Sequence, residues 1–203
     1  VNSEPPLRIG NSAVTSRSSE QVHFGMAETV IYNVPTHIVV GPGASGQLNQ
    51  RLATAGIQRP ALIVERGFRV QEAFSQLMGS LSPDFEAIIY DDWTGIPEAM
   101  AIEAGATCLA AHRADAIISV GGGTCQGLAK AIARVLHQAD HLIGDGAESS
   151  LQSSVTDHRP HMIALPTLDG VTKAISPTAK LPVENGQDLM PSTGLMPDLV
   201  LAD

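Results

Sequence analysis

Residues 116–133 read AIISVGGGTCQGLAKAIA, and this stretch decides the fold. Five apolar or small residues, Ala116 to Val120, form a short run of the kind that a strand covered on both faces requires. Three glycines follow, Gly121, Gly122 and Gly123, and a helical stripe then begins near Thr124, with Leu128, Ile132, Val135 and Leu136 on one face. Glycine lacks Cβ, so its backbone can adopt positive φ and come close to a ligand. The hydroxyl of Thr124 stands where a helix N-cap is expected, and free N–H groups at a helix start attract anions. A tight strand-to-helix turn alone needs fewer than three glycines in a row. The segment therefore predicts a cradle for a phosphate or pyrophosphate. Its spacing is not G-x-G-x-x-G, and no Gly-Lys-Ser/Thr follows, so it is neither the common dinucleotide fingerprint nor a P-loop.

Outward from this turn, short apolar runs alternate with helical patterns. Strands are expected at His37–Val40, Ala61–Val64, Glu86–Tyr90, Ala116–Val120, His161–Leu165 and Asp198–Ala202. Helical faces are expected from Leu48, Leu52 and Ala55, from Val70, Phe74, Leu77, Met78 and Leu81, and from Ile102, Ala106 and Leu109. Strand–helix–strand repetition with right-handed crossovers gives an α/β fold, a Rossmann-like, doubly wound and mostly parallel sheet. Ligands of such sheets bind beyond the carboxyl ends of the strands. The loops that matter are then Glu65–Val70, Asp91–Pro97, Gly121–Gln126 and Pro166–Ser176.

Composition narrows the function classes. The 203 residues carry a net charge of −9, 43% of them are hydrophobic and only 16% are charged, against about 25% charged in a typical chain. Low charge and many small residues suit helices packed closely on a buried sheet. An acidic chain with four Phe, two Tyr and one Trp lacks the basic clusters and stacking rings of a nucleic-acid surface. No apolar run approaches the ~18 residues of a membrane span. Two cysteines, Cys108 and Cys125, make no disulfide scaffold, so a cytoplasmic location is expected. Residues 1–28 form an N-terminal arm, flexible or pairing with a sheet edge, and residues 29–203 form the α/β domain. Residues 1–27 have no apolar signal core, and a targeting leader there stays open because the sequence does not begin with Met.

The residues of the glycine segment resemble the signature of iron-containing (group III) alcohol dehydrogenases, GGGS-x-x-D-x-A-K, on the dehydroquinate-synthase-like fold. The match is closer to the maleylacetate reductase branch, where the pattern reads GGGS-T-T-G-L-x-K-A-I-A; Gly127, Leu128, Lys130, Ala131, Ile132 and Ala133 fit it. Val34–Leu48 (VPTHIVVGPGASGQL) resembles the opening strand and turn of that family, Asp115 with Ala116–Val120 the run before the glycines, Ile163–Thr167 (IALPT) the strand leading to PTTAGTGSE, and Leu195–Asp203 (LMPDLVLAD) the strand L-P-x-x-V-I-x-D. The resemblance implies an NAD(P)-binding domain of an oxidoreductase that moves hydride to or from a carbonyl or alcohol substrate. It implies cofactor contacts from Gly121, Gly122, Gly123, Thr124, Thr167, Leu168 and Glu65. The cofactor is NAD or NADP, with NAD first. In the family an all-helical domain supplies the metal ligands and much of the substrate pocket. This sequence contains no such domain, so a metal is expected only if that part supplies its ligands. The expected partners are the dinucleotide and either a second copy of the chain or a complementary C-terminal half, with no nucleic acid and no membrane.

Several positions depart from the family pattern. PTTAGTGSE aligns to PTLDGVTKA, Pro166–Ala174, so Leu168 replaces a Thr and Lys173-Ala174 replaces Ser-Glu. The lysine expected in the hairpin before the last strand falls near Gln187, with Lys180 the nearest substitute, and the asparagine before Pro97 is Ile96. These changes keep a second reading open, a non-catalytic member serving as a nucleotide-binding or interaction module. The dipeptide Glu65-Arg66 decides nothing between cofactors, because an acid suits ribose hydroxyls and an arginine suits a 2′-phosphate. Cys125 is read as a small residue filling the turn, with a reactive thiol the alternative; Cys108 is read as core. Asp91 and Asp92 are read as a solvated turn, with acid–base work the alternative. His137 and His141 share helical spacing without an evident carboxylate partner beyond Asp140, and are read as a polar helix end.

Overall fold

The computed structural model describes residues 35–95, 99–144, 160–167, 170–183, 186–191 and 196–203. The expected N-terminal arm, Ile96, Pro97, Leu168 and Asp169 lie outside the described residues.

Pro60–Val64 (β2) and Ala116–Gly121 (β4) are buried at every position, which only strands covered on both faces achieve. Around them stand His37–Val40 (β1), Ile88–Tyr90 (β3), His161–Pro166 (β5) and Leu199–Ala202 (β8). These six strands form one sheet in the order β1-β8-β5-β4-β2-β3, with every neighbouring pair parallel. Leu62 lies opposite Ile118, and Ile118 opposite Ile163. Thr178–Val183 (β6) and Gly186–Pro191 (β7) pair separately as an antiparallel hairpin.

Strand periodicity sends alternate residues to opposite faces. Ala61, Ile63 and Ile117 pack with Ile102, Ala106 and Leu109 of α4 (Ala99–His112) and with Leu128 and Ile132 of α5 (Gly123–Gly144). Leu62, Val64, Ile118 and Val120 face the other way, onto Leu48 and Leu52 of α1 (Leu48–Thr54) and Phe74 of α3 (Glu72–Ser80). The sheet is therefore doubly wound, as expected.

Three local expectations are corrected. Val70 is 86% exposed, because the short helix α2 (Arg66–Arg69) ends at it and Gln71 adopts an extended conformation before α3 starts. The apolar stripe there begins at Phe74. Ala55, just past the end of α1, is exposed, and Ile57 takes the buried place. Cys108 is exposed, because the buried face of α4 runs through Ile102, Gly105, Ala106 and Leu109.

Carboxylates pin the amino-terminal edge of the sheet. Asp115 accepts the N–H groups of Gln58 (2.8 Å) and Arg59 (2.9 Å), and Asp198 accepts that of Met162 (2.8 Å). Arg113, at φ 55°, closes α4: its N–H donates to Ala110 and the next, of Ala114, to Leu109. That is a Schellman closure with a non-glycine residue in the left-handed position.

Gly105 lets α4 approach both α5 and β3. A Cβ there would press into the Ile132 side chain and stand 2.9 Å from the Tyr90 ring. Gly105→Ala should therefore destabilise the domain by about 1–3 kcal/mol through overpacking, measured as a lower urea midpoint. An unchanged midpoint would show that the interface gives way freely.

Candidate functional site

The strand order reverses between β2 and β4. The chain steps outward from β2 to β3, returns to β4, and continues through β5 on the other side. Ligands of open α/β sheets settle in the crevice at such a reversal, beyond the carboxyl ends of the strands. The turn after β2 begins at Glu65 and the turn after β4 at Gly121, so these two residues flank the crevice. The Glu65 N–H lies 3.5 Å from the Val120 carbonyl. A Cβ built on Gly121 would come 3.4 Å from the Glu65 Cβ and 3.0 Å from the Cys125 Cβ. With φ at +151°, Gly121 is closed to other residues both by conformation and by space.

Helix α5 starts one residue earlier than its sequence suggests. The Gly122 carbonyl accepts the Gln126 N–H at 3.1 Å, which makes Gly122 the residue flanking the helix and Gly123 its first member. Thr124 is thus within the first turn instead of at the cap, and its side chain is exposed. The flexible glycine run accounts for the shift, since a glycine can take the cap position that a threonine would otherwise hold.

The glycine turn is tied to the loop after β5 through one oxygen. The Gly121 carbonyl accepts the Thr167 N–H (3.1 Å) and the Gln126 Nε2–H (3.1 Å). Gln126 is 2% exposed, and its Oε1 accepts the Ser119 hydroxyl at 2.6 Å. Gly170 packs on the same spot, where a Cβ would lie 2.7 Å from the Gly121 oxygen. Of the residues singled out from the sequence, Glu65, Gly121 and Thr167 are therefore brought together, with Gly122, Gly123 and Thr124 continuing from Gly121. Gln126 was legible only as part of the loop, and nothing in the sequence marks its bond to Gly121.

Lys130 is 1% exposed and reaches from α5 to the end of α6 (Val171–Ala174), where its Nζ donates to the carbonyls of Lys173 (2.7 Å) and Ser176 (2.5 Å). Burial, helped by the nearby charge of Lys173, pulls its pKa down from 10.5 to about 8. Ala174, where the family pattern has an acid, is fully buried with Ala164, Val200 and Ala202. A carboxylate has no place there in this packing.

Cys125 is fully buried. Its thiol points at the carbonyls of Ile63 (3.3 Å) and Val120 (3.5 Å), and burial pushes its pKa up to about 12. The thiolate needed for a nucleophile is therefore suppressed, and the residue fills the turn. Asp91 and Asp92 are ion-paired instead of free: Asp91 with Arg69, and Asp92 with Arg66 at 3.0 Å. Just beyond them Trp93 is 5% exposed, and its Nε1 has no hydrogen-bond partner. Among the described residues no group of three or more His, Cys, Asp or Glu could hold a metal ion.

A doubly wound parallel sheet with a glycine turn at its reversal defines a Rossmann-like α/β domain. The model of the family "Iron-containing alcohol dehydrogenase" matches residues 35–203, and the chain belongs to that family. It is 28% identical over 170 residues to 4-hydroxybutyrate dehydrogenase of Cupriavidus necator, a match covering 83% of this chain and 44% of that protein. The fold is shared with sulfoacetaldehyde reductase from Bifidobacterium kashiwanohense, whose structure was determined in complex with NAD+ (TM-score 0.71, 18% identity, 87% of this chain and 46% of that one). It is shared likewise with maleylacetate reductase from Agrobacterium tumefaciens (TM-score 0.67, 18% identity, 88% and 43%). The chain thus spans less than half the length of these relatives.

Two outcomes follow from the site. Gly170→Ala places a methyl group against the Gly121 backbone oxygen, and should cost roughly 1–3 kcal/mol in thermal or urea unfolding. Wild-type stability in that variant would mean that the two loops are not packed as described. Lys130 carries a pH dependence. Between pH 8 and 10.5 the folded lysine has released its proton while the unfolded one still holds it. The unfolded state then binds more protons, so stability rises with pH across this window. Relative to Lys130→Met, the wild type should gain up to roughly 3 kcal/mol from the bottom to the top of it, read from urea midpoints at each pH. Parallel pH profiles for the two proteins would refute the assignment.

Proposed function

We propose that residues 29–203 form the dinucleotide-binding domain of an oxidoreductase that transfers hydride to or from a carbonyl or alcohol substrate. The observation that carries this reading is the convergence of Glu65, the Gly121–Thr124 turn and Thr167 at the reversal of the strand order. Gly122, Gly123 and Thr124 would hold the pyrophosphate with the first N–H groups of α5, a 22-residue helix whose dipole favours an anion at this end. Glu65, for which no ion pair or side-chain hydrogen bond is described, would take the ribose hydroxyls. Thr167 and Leu168 would flank the nicotinamide end. NAD, the first choice over NADP, would supply the hydride chemistry when bound; this chain's part is to bind the cofactor and orient it.

The substrate carbonyl and any metal would be held by groups in the part of the relatives that these residues do not span. The domain alone is then a binding unit, and catalysis would need a complementary helical half. A second copy of the chain is the other proposed partner, joined at the β1 edge, where Ile38 and Val40 are 42% and 73% exposed. No described helix is long and apolar enough to cross a membrane, and the two free cysteines suit the reducing cytoplasm. The non-catalytic reading draws on one observation, the fully buried Ala174 in place of an acid. It differs in chemistry downstream of binding, not in binding itself.

Titration with NADH and NADPH, followed by nucleotide fluorescence, tests the reading. Saturable binding of at least one is expected, and Gly122→Val or Gly123→Val should weaken it by 100-fold or more, about 3 kcal/mol, while the far-ultraviolet circular dichroism is kept. Full affinity in both variants, or no binding by the wild type at millimolar nucleotide, would remove the glycine turn as the pyrophosphate site.

A further inference from the structure

Helix α2 follows β2 directly and carries two arginines beside the ribose-facing Glu65. In sequence Arg66 suits a 2′-phosphate, against the Glu65 beside it. In the structure both arginines are engaged from the neighbouring strand. Asp92, two residues past the end of β3, meets the Arg66 Nη2 at 3.0 Å, and Asp91, the first residue past β3, pairs with the Arg69 Nη1. The two carboxylates come from consecutive residues and the two guanidiniums from positions three apart, facing one another across the β2/β3 pair. Among the described residues Glu65 has no such partner. The charges then sum simply: each arginine is cancelled by an aspartate, and the Glu65 carboxylate leaves one net negative charge at this corner of the crevice.

Resting on the dinucleotide reading above, we propose that Asp91 and Asp92 are specificity-determining residues that make the domain select NAD over NADP by occupying Arg66 and Arg69. A 2′-phosphate monoester carries about two negative charges near neutral pH. It would meet a carboxylate with no free cation to offset it. Ribose hydroxyls, by contrast, are donors that an unpaired carboxylate accepts. Each guanidinium already gives one N–H to a carboxylate, whose charge offsets the cation that would otherwise attract phosphate. The Arg66–Asp92 pair is exposed, with Asp92 at 90% and Arg66 at 57%, and the Arg69–Asp91 pair is partly so, so their removal should leave folding largely intact and make the selection weaken with salt.

The experiment uses the 203-residue chain with NADH and NADPH as probes, read by quenching of Trp93, its single tryptophan. The wild type is expected to bind NADH more tightly than NADPH. Asp91→Asn with Asp92→Asn frees both arginines, and should tighten NADPH about tenfold while NADH changes less than about twofold. Arg66→Gln, which leaves Asp92 uncompensated, should weaken NADPH further and move NADH little. It provides the test if the double variant fails to fold by circular dichroism. A wild-type preference for NADPH overturns the proposal. So does an unchanged NADPH-to-NADH ratio in the aspartate variant together with an unchanged ratio in Arg66→Gln. Binding of neither nucleotide by the wild type overturns it as well, and that result alone also removes the dinucleotide reading.

Discussion

The Gly121 carbonyl oxygen is the point on which the candidate site depends. It belongs to the last residue of the central strand β4, in register with Pro166 of β5, and it takes one N–H from Thr167, just past β5, and one from the buried Gln126 amide. A buried carbonyl left without donors would cost about 1–3 kcal/mol, so the two loops hold each other in place. Gly170 follows from this. With Thr167 bonded to the oxygen and Gln126 below it, no volume is left for a side chain where Gly170 approaches. Lys130 extends the same fastening one helical turn further, from α5 to the carbonyls of Lys173 and Ser176. The loop after β5 is thereby anchored at its start to the last residue of β4 and at its far end to α5.

On the proposed reading, this fastening lets an acidic chain hold an anion. The net charge of −9 acts over the whole surface and is screened within about 8–10 Å in physiological salt. Contacts at the glycine turn would be made by backbone N–H groups whose direction is fixed by Gly121 and by the start of α5. Their partial positive charge does not depend on how many lysines the chain carries. What the side chains contribute at the crevice is selection, through Glu65 and the neutralised arginines, and not bulk attraction.

The sheet was readable in the sequence because its interior strands are buried on both faces and so appear as unbroken apolar runs. All six expected strands are present, with ends displaced by two residues at most. Glu86 donates its N–H to the Gln58 carbonyl ahead of β2 and Ala87 to that of Phe85, both before β3, and Asp198 is spent on a clamp to Met162 before β8. Helix faces were less legible. Val70 has the right spacing to join Phe74 and Leu77, but spacing cannot register that Gln71 leaves the helical conformation between them. Cys108 looks apolar enough for a core, and only the packing of Gly105 against Ile132 and Tyr90 shows that the buried face lies elsewhere. The cap at Gly122 was hidden by Thr124, the better capping residue by type. At the site, the glycines were legible as chemistry. The bonds that fix them were not, because Gln126 and Lys130 reach partners that no local pattern connects.

The two edges of the sheet divide the work. At the amino-terminal edge, Asp115 and Asp198 spend their carboxylates on backbone N–H groups of neighbouring strands. Those acids belong to the same sequence landmarks that carried the family resemblance, yet their geometry is structural. At the carboxyl-terminal edge Asp91 and Asp92 are paired with arginines, while Glu65 has no such partner among the described residues. A charged residue at a strand end therefore cannot be assigned a role from its type; its edge decides. Asp203 shows the rule at its margin. It follows β8 at the carboxyl edge, where burial pulls its carboxyl upward, but the Ser45 hydroxyl and the N–H groups of Ser45, Ala44 and Gly43 hold it below 3.8. It thereby fastens the turn after β1 to the end of β8, as the Gln126 amide and the Thr167 N–H fasten the glycine turn to the residue after β5.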